Sequence, residues 1–206
     1  MRNIDPKKTF KHLYGFSRTE PELIKAPSLK YLEISGEGNP NDNPRFEAAI
    51  GALYALSYTL KFAIKDAHAK NYTVMPLEGL WDADDPLAFV NNQKDDWRWT
   101  LCIMQPKEVN SSMLSAAVKH VMSKKKELTM VNDVVLNERN EELCAHILHV
   151  GPYSEEGPTV TRLHHFIAAN GYKPKGLHRE IYLSDVRRVA PERLRTIIRQ
   201  PVRKGE

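Results

Sequence analysis

Apolar residues along this 206-residue chain follow two spacings, and the spacing changes mark its elements. Phe46, Ile50, Leu53, Leu56, Leu60 and Ile64 recur every three or four positions. They form one stripe on a long predicted helix. Asn43 suits its N-cap and Pro44 its first helical position. Tyr54 and Tyr58 lie beside the stripe. A second helix is predicted with Leu114, Ala117, Val118, Val121 and Met122 inward. Ser111 or Ser112 would cap it, and Lys124, Lys125 and Lys126 suit the negative end of its dipole. A third runs from about Glu155, with Val160, Leu163, His164 and Ile167 on one face, and stops at Asn170-Gly171. A short fourth is predicted from Pro191, burying Leu194, Ile197 and Ile198 and ending before Pro201.

Other stretches read as strands: Leu29–Ile34, Tyr72–Leu80, Trp97–Met104, Leu143–Val150 and the segment around Glu180. Gly36–Asn43 is a loop by composition and Asp82–Pro86 a turn. Residues 1–27, broken by Pro6, Pro21 and Pro27, read as an extended lead-in. Residues 28–206 then form a single domain of two halves, about 28–126 and 127–206, each offering strand, helix, strand. The expected class is α+β, with a largely antiparallel sheet, helices on one face and a ligand groove on the other.

Composition narrows the picture. Hydrophobic residues are 41% and charged residues 27%, as in a globular chain. Thirty Lys and Arg against 26 Asp and Glu leave a net charge of +4, too dispersed to read as a nucleic-acid footprint. The exception is Arg187, Arg188, Arg193, Arg195, Arg199, Arg203 and Lys204. This cluster reads as a solvated C-terminal helix and tail, or else as a contact for phosphate. The two cysteines, Cys102 and Cys144, sit in apolar runs and suit a core. No stretch has signal-peptide or membrane-spanning character, so the expected location is the cytoplasm, without a membrane partner.

The chemistry concentrates in His178-Arg179-Glu180-Ile181-Tyr182. Alternation puts His178, Glu180 and Tyr182 on one face and Ile181 on the other. An acid in the middle of an apolar strand costs free energy unless it is paired, protonated or held for a task. Glu180 is therefore either a satisfied structural acid or the floor of a site. Glu78, in another apolar strand, is a candidate to share a proton with it. Trp97 and Trp99 share a face, and Trp81 ends its own strand. These tryptophans either fill the core or wall a groove for a flat or cationic ligand. His146 and His149 project to opposite faces, and no histidine has ligand spacing, so no metal is expected. There is no glycine-rich phosphate loop or nucleophile elbow, and no cofactor is called for.

Three segments carry a resemblance. They are His149-Val150-Gly151-Pro152-Tyr153-Ser154-Glu155-Glu156-Gly157-Pro158-Thr159, His178–Asp185, and Arg187-Arg188-Val189-Ala190-Pro191-Glu192. Together they resemble the GyrI-like small-molecule-binding family. Met75–Trp81 and Trp97–Thr100 are similar to its stand-alone branch. The resemblance implies two SHS2-type strand–helix–strand repeats about a pseudo-twofold groove, with Glu180 matching the glutamate over which relatives hold aromatic cations. It also implies an activity: stand-alone members include hydrolases that open the cyclopropane of DNA-alkylating cyclopropanoid compounds, a detoxification. In that reading Glu180 handles the water, Tyr54 or Tyr182 donates to the developing phenolate, and Trp81, Trp97, Trp99, Glu78, Tyr58 and His178 line the ligand. Asp82 stands where the branch often has a second tryptophan. The alternatives are a non-catalytic module that sequesters aromatic or cationic drugs, a gyrase-interacting protein, and a nucleic-acid role for the arginine-rich end.

Overall fold

The computed structural model describes residues 2–4, 6–15, 19–68, 70–84, 93–140 and 142–205. In chain order its elements are β1 (Arg2–Ile4), α1 (Pro6–Thr9), α2 (Lys11–Tyr14), β2 (Glu22–Ala26), β3 (Leu29–Glu37), α3 (Pro44–His68), β4 (Lys70–Tyr72), β5 (Leu77–Ala83) and β6 (Trp97–Gln105). They continue with α4 (Ser111–Lys124), β7 (Val135–Arg139), β8 (Glu142–Val150), α5 (Gly157–Ala169), β9 (Tyr172–Pro174), β10 (His178–Tyr182) and β11 (Arg195–Lys204). The class is α+β, and each principal sheet is antiparallel. The chain divides into two compact units, residues 1–9 with 29–139, and residues 10–28 with 140–206.

In unit one the strands run β5, β6, β3, β7. α3 begins as the sequence predicts: Asn43 Oδ1 accepts from Arg45 N at 3.0 Å, and the Leu53–Leu56–Leu60–Ile64 stripe is buried. α3 packs on β3 and β6, and α4 packs on α3. The cap of α4 is Asn110, not a serine; its side chain accepts from Met113 N at 3.0 Å. An asparagine there removes one of the four unsatisfied N–H groups at the helix start. β5 starts later than predicted, at Leu77, and continues past Trp81 to Ala83. Asp85 and Pro86, from the predicted turn, lie outside the described residues.

In unit two the strands run β2, β8, β11, β10, with β9 also on β11. Part of the N-terminal lead-in thus supplies the strand β2. α5 covers this sheet through Leu163 and Ile167, which pack with Ala145, Ile147, Ile198 and Val202. It ends at Asn170, followed by Gly171 at φ +76°, a left-handed cap that favours glycine.

The predicted C-terminal helix is instead a strand. Pro191–Arg193 make one 3-10 turn and β11 follows for ten residues. Flanked on both sides, β11 buries both faces, so Thr196, Ile197 and Ile198 show no alternation and imitate a buried helix segment. Their β-branched side chains and Pro201 favour the extended chain. The arginines of this region are therefore not one solvated face. Arg199 is buried and donates to the Leu13 carbonyl at 2.6 Å, its guanidinium 5.9 Å from the Tyr14 ring.

Candidate functional site

β10 alternates as its sequence requires. Arg179 and Ile181 are buried, while His178, Glu180 and Tyr182 share the other face. Register then decides which face that is. Glu180 lies opposite Ile198 and Tyr182 opposite Thr196, and Ile198 belongs to the core under α5. Glu180 therefore shares its sheet face with α5, rather than standing on a face away from the helix. The reason is sequence parity: Ile198 and Ile147 must meet Leu163 and Ile167, and residues paired across an antiparallel ladder share a face.

The start of α5 brings a second acid to that face. Gly151 breaks β8 at φ +140°. The buried His149 pins the turn that follows: its Nε2 donates to the Pro152 carbonyl at 3.1 Å, and its Nδ1 accepts from the Thr159 hydroxyl at 3.0 Å. Glu156 then stands at the N-cap of α5, 7% exposed, with Oε1 buried and unpartnered among the described residues. Burial, then the charge of Glu180, push its carboxyl up to about 9; a hydrogen bond with Glu180 acts in the same direction. Thr196 pulls the other way, although its buried Oγ1 makes no well-formed hydrogen bond.

Glu180 is 17% exposed at its side chain. Tyr182 donates its hydroxyl to Glu180 Oε2 at 2.8 Å, and His178 Nε2 lies 3.6 Å from Oε1. The Tyr153 ring meets that of Tyr182 edge-on at 5.5 Å. Burial, with Glu156, Glu180 and Asp185 nearby, raises the Tyr153 phenol to about 12, so it stays a neutral donor at physiological pH. The result is a pair of carboxyl groups, with Glu156 holding its proton at neutral pH, beside two phenols.

Residues 19–203 match the GyrI-like small molecule binding domain. The chain belongs to that family. An uncharacterized conserved protein of Listeria innocua is 34% identical, with a TM-score of 0.90 over 97% of this chain and all of the other. A hydrolase from Listeria innocua is 33% identical, with a TM-score of 0.88 over 98% of this chain and all of that one. The EcmrR C-terminal domain, at 12% identity and a TM-score of 0.56, shares the fold. No curated protein matches the chain.

Within this GyrI-like domain the other expected site residues fall into separate groups. Trp81, Trp97 and Trp99 share one face of the unit-one sheet, with Trp81 and Trp97 at 5.6 Å. Phe46 of α3 stacks on Trp81 at 6.1 Å and meets Trp99 edge-on at 5.1 Å. Trp99 is 1% exposed and lies so close over Gly36 that a Cβ there would come within 2.3 Å of the indole. Glu78 is fully buried and pairs in register with Cys102, so it points to the opposite face from the tryptophans. Tyr54 and Tyr58 stack along α3 at 6.4 Å. Asp82 pairs with Arg98 at 2.9 Å, so the position that lacks a tryptophan carries an ion pair. Among the described residues no three His, Cys, Asp or Glu side chains form a metal cluster, and no helix is long and apolar enough to cross a membrane.

Glu156, Thr196 and Tyr153 are the participants that local pattern did not reveal. Glu156 reads as an ordinary acid in a first helical turn, where a negative charge suits the dipole. Thr196 was hidden by the helical reading of β11. The available signal was the turn sequence Gly151–Pro158 itself, which fixes where α5 starts.

Proposed function

We propose that this protein is a cofactor-independent hydrolase of small aromatic compounds, opening the cyclopropane of DNA-alkylating cyclopropanoids. The observation that carries the reading is the carboxyl pair of Glu156 and Glu180. Glu156 holds its proton well above the usual carboxylate range, and Tyr182 donates to Glu180 Oε2. Glu180 takes a proton from water as the water oxygen bonds to the strained carbon. The cyclopropane bond breaks, and its electron pair moves to the conjugated carbonyl oxygen as a phenolate. Tyr182 swings its single hydroxyl hydrogen from Glu180 to that oxygen, and the proton that Glu180 took from water then passes to the phenolate, which restores Glu180. General base help of this kind contributes about a hundred- to ten-thousand-fold. The 33% identity to a hydrolase of Listeria innocua supports the reaction class.

The carboxyl pair beside two phenol rings also suits a cation held without chemistry, so sequestration is the second reading. Incubation with a duocarmycin-type compound separates the two. Hydrolysis adds the mass of one water to the recovered compound, and sequestration returns it unchanged. Glu180→Gln is expected to slow turnover by about a hundredfold or more. Turnover at the wild-type rate removes Glu180 from the reaction.

A further inference from the structure

We propose that the groove between α3 and α4 is a second binding site, for a small aromatic anion such as an aryl carboxylate or sulfonate. The groove belongs wholly to unit one and encloses about 410 Å³, within the range of small-ligand sites. From α3 it is lined by the small residues Gly51 and Ala55 and by the aromatic rings of Tyr54 and Tyr58. Tyr58 is 48% exposed, a large ring face left to solvent. α4 and the residue after it supply His120, Lys124 and Lys125, and Lys61 Nζ lies 6.0 Å from the Tyr58 ring centre.

Among the described residues no acid lines this groove. His120, Lys124 and Lys125 are exposed, and none is in an ion pair among the described residues. A ring on the tyrosine face would set its anionic group beside those cations. A cationic guest would be repelled, the reverse of what the Glu180 face selects. Gly51 is the second observation. A glycine inside a helix is destabilising relative to alanine. A Cβ at 51 would meet only the Leu128 side chain, in ordinary contact at 3.7 Å. Packing therefore does not demand the glycine, and its lack of a side chain leaves the groove open at that point.

The test titrates the whole protein with 8-anilinonaphthalene-1-sulfonate and with its uncharged relative N-phenyl-1-naphthylamine, reading probe fluorescence. Saturable binding of the sulfonate is expected, weakening with added salt. Lys124→Glu with Lys125→Glu should lower sulfonate affinity about tenfold and change that of the neutral probe less than about twofold. Gly51→Leu should lower both by filling part of the groove, with circular dichroism melts reporting that each variant is folded. The proposal is overturned if the sulfonate does not bind. It is equally overturned if the charge reversal alters sulfonate affinity by less than about twofold, or alters both probes alike. A loss of sulfonate binding in Glu180→Gln as large as in the lysine variant would also sink it, by placing the probe at the carboxyl pair.

Discussion

Glu33 in unit one and Glu156 in unit two are both buried glutamates, and they are treated oppositely. Glu33 on β3 is 4% exposed, yet Arg139 Nε donates to it at 2.6 Å and Asn137 Nδ2 at 2.9 Å. Both donors come from the neighbouring strand β7 and are placed by its register. Glu156 is buried to a similar degree, but its Oε1 is unpartnered and its neighbour is another acid. An acid with a cation and an amide is part of the scaffold. An acid set against an acid costs folding free energy and holds a proton it would otherwise release. That cost, concentrated where two phenols also meet, is what makes unit two the place of the proposed chemistry.

Glu156→Gln tests the contrast most strongly. Its folded pKa, about 9, exceeds the ordinary 4.5. Between those values the folded state holds a proton that the unfolded chain releases, so stability falls as pH rises through the window. Gln carries no such proton. The variant is expected to gain on wild type as pH rises, by up to about 3 kcal/mol at pH 7. Urea unfolding from about pH 5 to pH 8 measures it. A difference that stays constant across that range would refute the raised pKa. His146 works in the opposite sense: burial lowers it to about 4, so the folded state resists protonation and loses stability as pH falls from about 6.5. Subtracting variant from wild type removes that common slope.

Arg139→Met is the complementary break, in the satisfied pair. It strands Glu33 without its cation and is expected to cost about 2 kcal/mol, less than a fully buried pair because Arg139 is a third exposed. Replacing both residues with methionine should recover most of that loss, since no buried charge then remains. If the single and double variants unfold at the same denaturant concentration, Glu33 is not held by Arg139.

The contrast also explains how much was readable in advance. The α3 stripe, the asparagine–proline start, the Asn170-Gly171 stop and the alternation of β10 are local, and each was legible from spacing. β11 was not, because a strand buried on both faces has no period to read. The family motifs pointed to Glu180, and strand character made Glu78 a candidate to share its proton, while nothing local singled out Glu156. Glu156 comes to Glu180 through the pairing of β10 with β11 and the packing of α5 on that sheet. Neither is encoded within the few residues around Glu156. Trp97 and Trp99 were legible as sharing a face, while Trp81 joins them through the register of β5 on β6, and the contact of Trp81 and Trp99 with Phe46 depends on where α3 lies.

The smallest expected effect sharpens the comparison further. Thr196 Oγ1 is buried and makes no well-formed hydrogen bond among the described residues, and it lies on the face that holds Glu180. Thr196→Val keeps the shape and removes the hydroxyl, which relieves a desolvation cost. Stability at pH 5, where Glu156 is protonated, should therefore change by less than about 1 kcal/mol and in the favourable direction. The hydroxyl also draws the Glu156 pKa downward against burial and Glu180. Without it Glu156 should titrate higher still, so the stability lost to rising pH extends further into the alkaline range. Carbon-13 NMR of the Glu156 carboxyl reads that shift directly. A titration unchanged from wild type would mean that Thr196 sits beside the pair without acting on it, and that Glu156 and Glu180 alone set the proton's position.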